Sequence, residues 1–249
     1  MYAVGLFVLA LLETVTAQTF TPAPGNFPAK GDGDYAGGIF CIPPSELPKY
    51  SATAGVGGSE TPKAGQTTSG SGPYPAYMFT DPTLPNHTLY APKGAPKVSM
   101  PFIAWGNGDC QTVGSEYRNF LLELASYGYL IAADGPPTGL TRGTQSKIQD
   151  MRDSVDWAAK GGGSKYGTID LSKIATAGHS CGGLEAMSTG YHDDRVKRIV
   201  LFNIAIFQDD RRYLLQEIKV PVAWFVGGTN DMGYPTVSFR CLSPALFHS

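Results

Sequence analysis

Short apolar runs recur through the second half of the chain, at residues 100–105, 129–133, 173–177, 198–202 and 222–226. Between them, residues 115–126, 145–160 and 182–189 place apolar side chains at the spacing of an amphipathic helix. Strands that alternate with helices predict an α/β fold with a mostly parallel sheet and helices on both faces, because each parallel connection needs a crossover long enough to hold a helix. Upstream, residues 76–80 and 88–91 are two short strand-like segments flanking Asp81-Pro82 and Pro85-Asn86, which predicts an antiparallel hairpin. In a parallel sheet, ligands bind beyond the carboxyl ends of the strands. The residues that follow each run are therefore where chemistry is expected.

The N-terminal part reads differently. Residues 1–17 combine an apolar run too short to span a bilayer with small residues at Val15-Thr16-Ala17, the pattern of a cleavable signal peptide. Residues 18–75 form a Gly/Pro/Ser/Thr-rich arm in which residues 39–42 are the one apolar anchor. The α/β domain is expected over residues 76–235, followed by an atypical tail at 236–249. A formal net charge of −2 leaves no basic field for nucleic acid or an anionic membrane, and no later run is long enough to cross a bilayer. Four cysteines in an exported chain favour disulfides, and no Cys or His pair has zinc spacing, so neither a metal nor an organic cofactor is expected. Asn86-His87-Thr88 is a glycosylation sequon at Asn86.

Gly178-His179-Ser180-Cys181-Gly182-Gly183 has the G-x-S-x-G form and sits between a strand run and a helix run. A strand that turns abruptly into a helix lifts a serine hydroxyl above the sheet edge, and only small neighbours permit the turn. With this motif and order of elements, residues 77–234 resemble the α/β-hydrolase superfamily. Within it they resemble the secreted branch related to dienelactone hydrolases, chlorophyllase-like proteins and cutinase-like polyester hydrolases.

The resemblance implies a secreted serine hydrolase of small or polymeric carboxylic esters, working through an acyl-enzyme on Ser180. It implies oxyanion donors at the backbone N–H of Cys181 and of Asn107, which follows Trp105-Gly106. Asp231 is then the triad acid, with Asp209 or Asp210 as the runner-up. Cys110 and Cys181 flank the two donor loops, so a Cys110–Cys181 disulfide is expected. Trp105, Tyr117, Pro136, Pro137 and Phe207 are expected to line the acyl pocket.

The histidine is the gap in this pattern. His87 is expected at the surface beside the sequon, His179 is the elbow's own neighbour, and His192 lies in a polar turn. His248 is left as the candidate base, without the Gly-containing turn of the family. The alternative expectation is a catalytically impaired chain whose last helix and strand, with the triad histidine, are missing. A thiol enzyme using Cys181 is a third reading, disfavoured because serine occupies the elbow apex.

Overall fold

The computed structural model describes residues 38–40, 68–94, 96–140 and 144–227. The signal segment, most of the arm, Cys41, Asp231, Cys241, His248 and the 236–249 tail lie outside the described residues. Seven strands form one mixed, mostly parallel sheet: β1 (Ala76–Phe79), β2 (His87–Pro92), β3 (Met100–Gly106), β4 (Leu130–Asp134), β5 (Ile169–His179), β6 (Val196–Phe202) and β7 (Val222–Phe225). Their spatial order is β1-β2-β4-β3-β5-β6-β7. β2 is antiparallel to both β1 and β4, and every other pairing is parallel. The connecting helices are α1 (Arg118–Ser126), α2 (Ile148–Ala159) and α3 (Cys181–Gly190).

The alternation of side chains along each strand sorts them between two cores. Phe102, Ala104, Leu130, Ala132 and Ile174 face α2 and α3, where Met151, Val155, Trp157, Leu184 and Met187 meet them. Ile103, Trp105, Ile131, Ala133 and Ala177 face the other way, onto Leu121, Leu122 and Ala125 of α1. Both faces of β3 and β4 are thus covered, which is why these strands read as continuous apolar runs. The arm is tied down at both of its described stretches: Ile39 and Phe40 are buried, Phe40 packs edge-on against Tyr191 with ring centroids 6.0 Å apart, and Arg211 donates to the Ile39 carbonyl, while the Ser71 and Gly72 N–H groups donate to Glu123 and Ser126 of α1.

Two elements depart from the hydrophobic pattern. β5 begins at Ile169 rather than near residue 173, because Ile169 pairs with Met100 before a register shift, although Leu171, Ser172 and Lys173 are exposed. The 3-10 helix Asp209–Glu217 opens on a charged stretch with no apolar period to announce it. No helix among the described residues is long and apolar enough to cross a membrane.

A polar knot fastens the hairpin to the rest of the domain. The Asp81 carboxylate, 1 % exposed, accepts from the Thr83 N–H at 2.9 Å, the Thr83 hydroxyl at 2.7 Å and the Tyr166 hydroxyl at 2.7 Å, with Lys165 Nζ at 3.0 Å. Thr83 in turn accepts from the indole of Trp157 on α2. Burial alone would raise the carboxyl's pKa, but these donors together hold it below the usual carboxylate range. The ionised form is therefore stabilising above the unfolded value of 3.8, and that stabilisation is lost as pH falls through the folded value. We expect D81N to lower the unfolding free energy by about 2 kcal/mol at pH 7. Urea titrations of the two proteins should show the gap closing only below pH 3.8.

Candidate active site

β5 ends at His179 and α3 starts at Cys181, leaving Ser180 alone at the junction with φ 52° and ψ −122°. A non-glycine residue in this region costs on the order of 1–3 kcal/mol, so the surroundings must hold it there. The Ser180 N–H donates to Phe202 O of β6 at 2.9 Å, and the Ser180 carbonyl accepts from Gly183 N at 2.9 Å. The motif's glycines are required by contact. A Cβ on Gly178 would lie 2.2 Å from Gly182 O, and one on Gly182 would lie 2.1 Å from the Gly106 carbonyl carbon and 2.6 Å from Asn107 N. The first turn of α3 therefore rests directly on the backbone that leaves β3, and Gly182 N donates to Asn107 O at 3.0 Å.

That backbone is fixed from its other side. Asn107 is fully buried; its amide donates to Asp134 O and Gln111 O, each at 2.8 Å, and its Oδ1 accepts from the Trp105 indole at 3.2 Å. The Asn107 side chain is thus engaged at both its amide nitrogen and its oxygen. Cys110 and Cys181 are joined in a disulfide with Cα atoms 5.1 Å apart, as expected, tying the 107–111 turn covalently to the start of α3. Ser146 adds a further tie by donating its N–H to Cys110 O at 2.8 Å.

His179 is held through both ring nitrogens. Nδ1 lies 2.7 Å from the Tyr117 hydroxyl, and Nε2 lies 3.3 Å from Asn203 Nδ2. Asn203, itself at φ 51°, accepts from Gly227 N at 3.0 Å and so connects the ends of β6 and β7 to the elbow. Asn203 and Tyr117 are thus neighbours of His179, the residue before Ser180. An aromatic group spreads from here over the α1 face, with Trp105 meeting Tyr117, Phe120 and Phe202, and Phe202 stacked on Phe225. The expected pocket is only partly assembled. Tyr117, Pro136 and Pro137 are half-buried, but Trp105 is 1 % exposed and Phe207 belongs to the opposite core, with Ile204 and Leu214. Both are packing residues, placed there because apolar rings buried against a sheet gain more than rings left facing solvent.

His87 corrects the sequence reading outright, being 2 % exposed rather than a surface residue. It begins β2 opposite Asp134, where hairpin and helix α2 enclose it. Its Nε2–H donates to Asp150 O at 2.9 Å, with Asp134 Oδ1 at 3.4 Å. Two strands separate β2 from β5, so His87 stands about 14 Å from the elbow, given roughly 4.8 Å per strand. Burial pushes Asp134 up to about 6, against the pull of His87; burial and the Asp134 charge push Glu185 of α3 well above the carboxylate range. For His87, burial pulls downward, but Asp134 and Asp150 together hold it above its ordinary value. His192 is exposed, 3.1 Å from Glu217 Oε2, and Asn86 lies exposed in the hairpin turn. Asp209 and Asp210 open the 3-10 helix after β6.

The structure thus brings Ser180, Cys181, Asn107 and Cys110 together, while Asp231 and His248 lie outside the described residues. Asp134 and Glu185 were not singled out, and the available signal was their position: one follows the 129–133 run and the other is the one charged residue of its helix. Among the described residues no three His, Cys, Asp or Glu side chains cluster as metal ligands. Comparison with protein-family models and with curated proteins finds no match for the chain.

Because the Gly182 contact is backbone against backbone, neither partner can swing aside. G182A should cost about 3 kcal/mol or more in denaturant unfolding. Opening the disulfide with C110A should cost up to about 4 kcal/mol, the chain-entropy value for cysteines 71 positions apart. Peptide mapping with and without reductant reads the pairing itself.

Proposed function

We propose that this chain is an exported serine hydrolase of carboxylic esters built on the α/β-hydrolase fold. The observation that carries the reading is Ser180, held at positive φ between a buried strand and a helix whose first turn lies on the Gly106-Asn107 backbone. A strained serine at such a junction is the arrangement of a nucleophile elbow. The sheet order and the single antiparallel strand, β2 of the hairpin, support the same fold. The Cys110–Cys181 bond supports an oxidising compartment and therefore export.

In this reading the Ser180 hydroxyl attacks the ester carbonyl carbon while a base takes its proton. The oxyanion accepts from the backbone N–H groups of Asn107 and Cys181, each worth about 3 kcal/mol in the transition state. The tetrahedral intermediate expels the alcohol, which receives the proton from the base, and water then releases the acid from the acyl-serine. Asp231 is assigned as the acid from its position after β7. His248 is assigned as the base by elimination, since His87 is enclosed with Asp134, His179 is engaged at both nitrogens and His192 pairs with Glu217.

The same elimination favours a second reading, a catalytically impaired protein on this fold. Loss of the base from a triad acting as a unit costs on the order of 10⁶ in kcat. An aryl acetate assay separates the two. Under the first reading the wild type turns over, S180A is inactive, and H248A falls by several orders of magnitude. Wild-type activity that persists in S180A would discard Ser180 as nucleophile, and a silent wild type would leave the impaired protein.

A further inference from the structure

Behind the elbow, on the side of α2 and α3, lies a buried polar group that the proposed chemistry does not use. Glu185 is 0 % exposed; its Oε1 accepts from the Ser146 hydroxyl at 2.9 Å, and its Oε2 has no hydrogen-bond partner. Asp134 is also 0 % exposed, and neither of its carboxylate oxygens makes a hydrogen bond, His87 Nε2 being 3.4 Å away and turned to Asp150 O. Asp134 follows Ala133, the β4 partner of Trp105, and so stands beside Gly106, the residue whose Cβ position Glu185 Oε2 approaches; unpartnered buried oxygens of this kind are expensive, and two ionised carboxyls on one face more so. One proton between them removes the repulsion and creates the missing donor, as in other carboxyl pairs that share a site.

The two carboxyls are attached to the two donor loops. Asn107 hangs from the main-chain carbonyl of Asp134 through its side-chain amide. Glu185 is four residues after Cys181 on α3, and its Oε2 lies only 2.8 Å from where a Cβ on Gly106 would stand. Ser146 links Glu185 Oε1 to the Cys110 carbonyl. We infer that Glu185 and Asp134 are positioning residues, a proton-sharing carboxyl pair that clamps the Gly106-Asn107 turn against the first turn of α3 and so sets the spacing of the two oxyanion donors.

Glu185 is the acid of the pair and Asp134, with His87 beside it, the acceptor. The proton is taken up from solvent as the chain folds. The charged groups facing the pair are His87 from β2 and Asp150 from α2; Asp150 adds negative charge, and its own Oδ2 is occupied by the Lys147 N–H. Burial and the Asp134 charge both raise Glu185, so the folded state holds a proton that the unfolded chain has lost above its ordinary value of 4.5. The clamp's contribution to stability is therefore complete below that value and declines as pH rises toward the folded value.

The functional meaning of the clamp rests on the ester-hydrolase reading, but its test does not require turnover. Wild type, E185Q and E185A are compared at full length by infrared spectroscopy of the carboxyl region, by thermal unfolding across pH, and by hydrogen exchange of the Gly182 amide. A protonated-carboxyl band at pH 7 is expected in the wild type and absent from E185Q. E185Q, which keeps a donor without a titrating proton, should retain Gly182 protection and show a shallower fall of the unfolding midpoint with pH. E185A should lose that protection at least tenfold. The inference is overturned if the wild type lacks the band, if E185Q follows the wild-type pH dependence, or if E185Q exchanges as fast as E185A. Should aryl acetate turnover be absent while these three results hold, the hydrolase reading fails and the clamp stands.

Discussion

The approach of two backbones, at Gly106 and Gly182, is the constraint on which the rest of the site depends. Each glycine sits where a side-chain carbon would fall inside the other's main chain. The contact brings the end of β3 and the start of α3 closer than any pair of substituted residues allows, and the hydrogen bond from Gly182 N to Asn107 O closes over it. Ser180 is carried on the same turn. Its unfavourable dihedrals are tolerated because β6 bonds its N–H on one side and α3 takes its carbonyl on the other. The strain at Ser180 is thus balanced by packing and hydrogen bonds that belong to the sheet and helix, not to the serine itself.

Around that contact the chain has placed redundant restraints of different chemical kinds. The Cys110–Cys181 disulfide is covalent, the Asn107 side chain is a three-way hydrogen-bonded brace, and Ser146 joins the loop before α2 to Cys110. Donors that do not move between ground state and transition state stabilise a developing charge without reorganisation cost. Rigid scaffolding of two short loops is the structural form that such an economy takes.

Much of this was legible from sequence, for reasons that particular residues make clear. The β2, β3, β4 and β6 segments could be read because their side chains are buried on one or on both faces, and β7 because half-buried Val222 and Trp224 alternate with exposed Ala223 and Phe225, which leaves a pattern in the residue types. The N-terminal end of β5 could not, because Leu171 to Lys173 are exposed and held in the strand's path by pairing that begins at Ile169. The elbow was visible because its glycines have no substitutes. His87 was misread since a sequon and prolines mark a surface turn, whereas the ring points inward from the first residue of the following strand. Asp134 and Glu185 were passed over for a related reason: an acid within an apolar stretch carries no sign of its partners, which come from β2, α2 and the preceding loop. Trp105 and Phe207 show the reverse error, aromatic residues near the strand ends that serve the core.

Trp105 has one more property that follows from its place. Its indole N–H is bonded to the Asn107 side chain, its ring touches Tyr117, Phe120 and Phe202, and solvent barely reaches it. Trp157 and Trp224, the other two tryptophans, lie in or against the opposite core. The chain therefore carries an intrinsic chromophore wired to the turn that would bear an oxyanion. Displacement of that turn, whether by ligand, reductant or protons, is written into the emission of a single side chain.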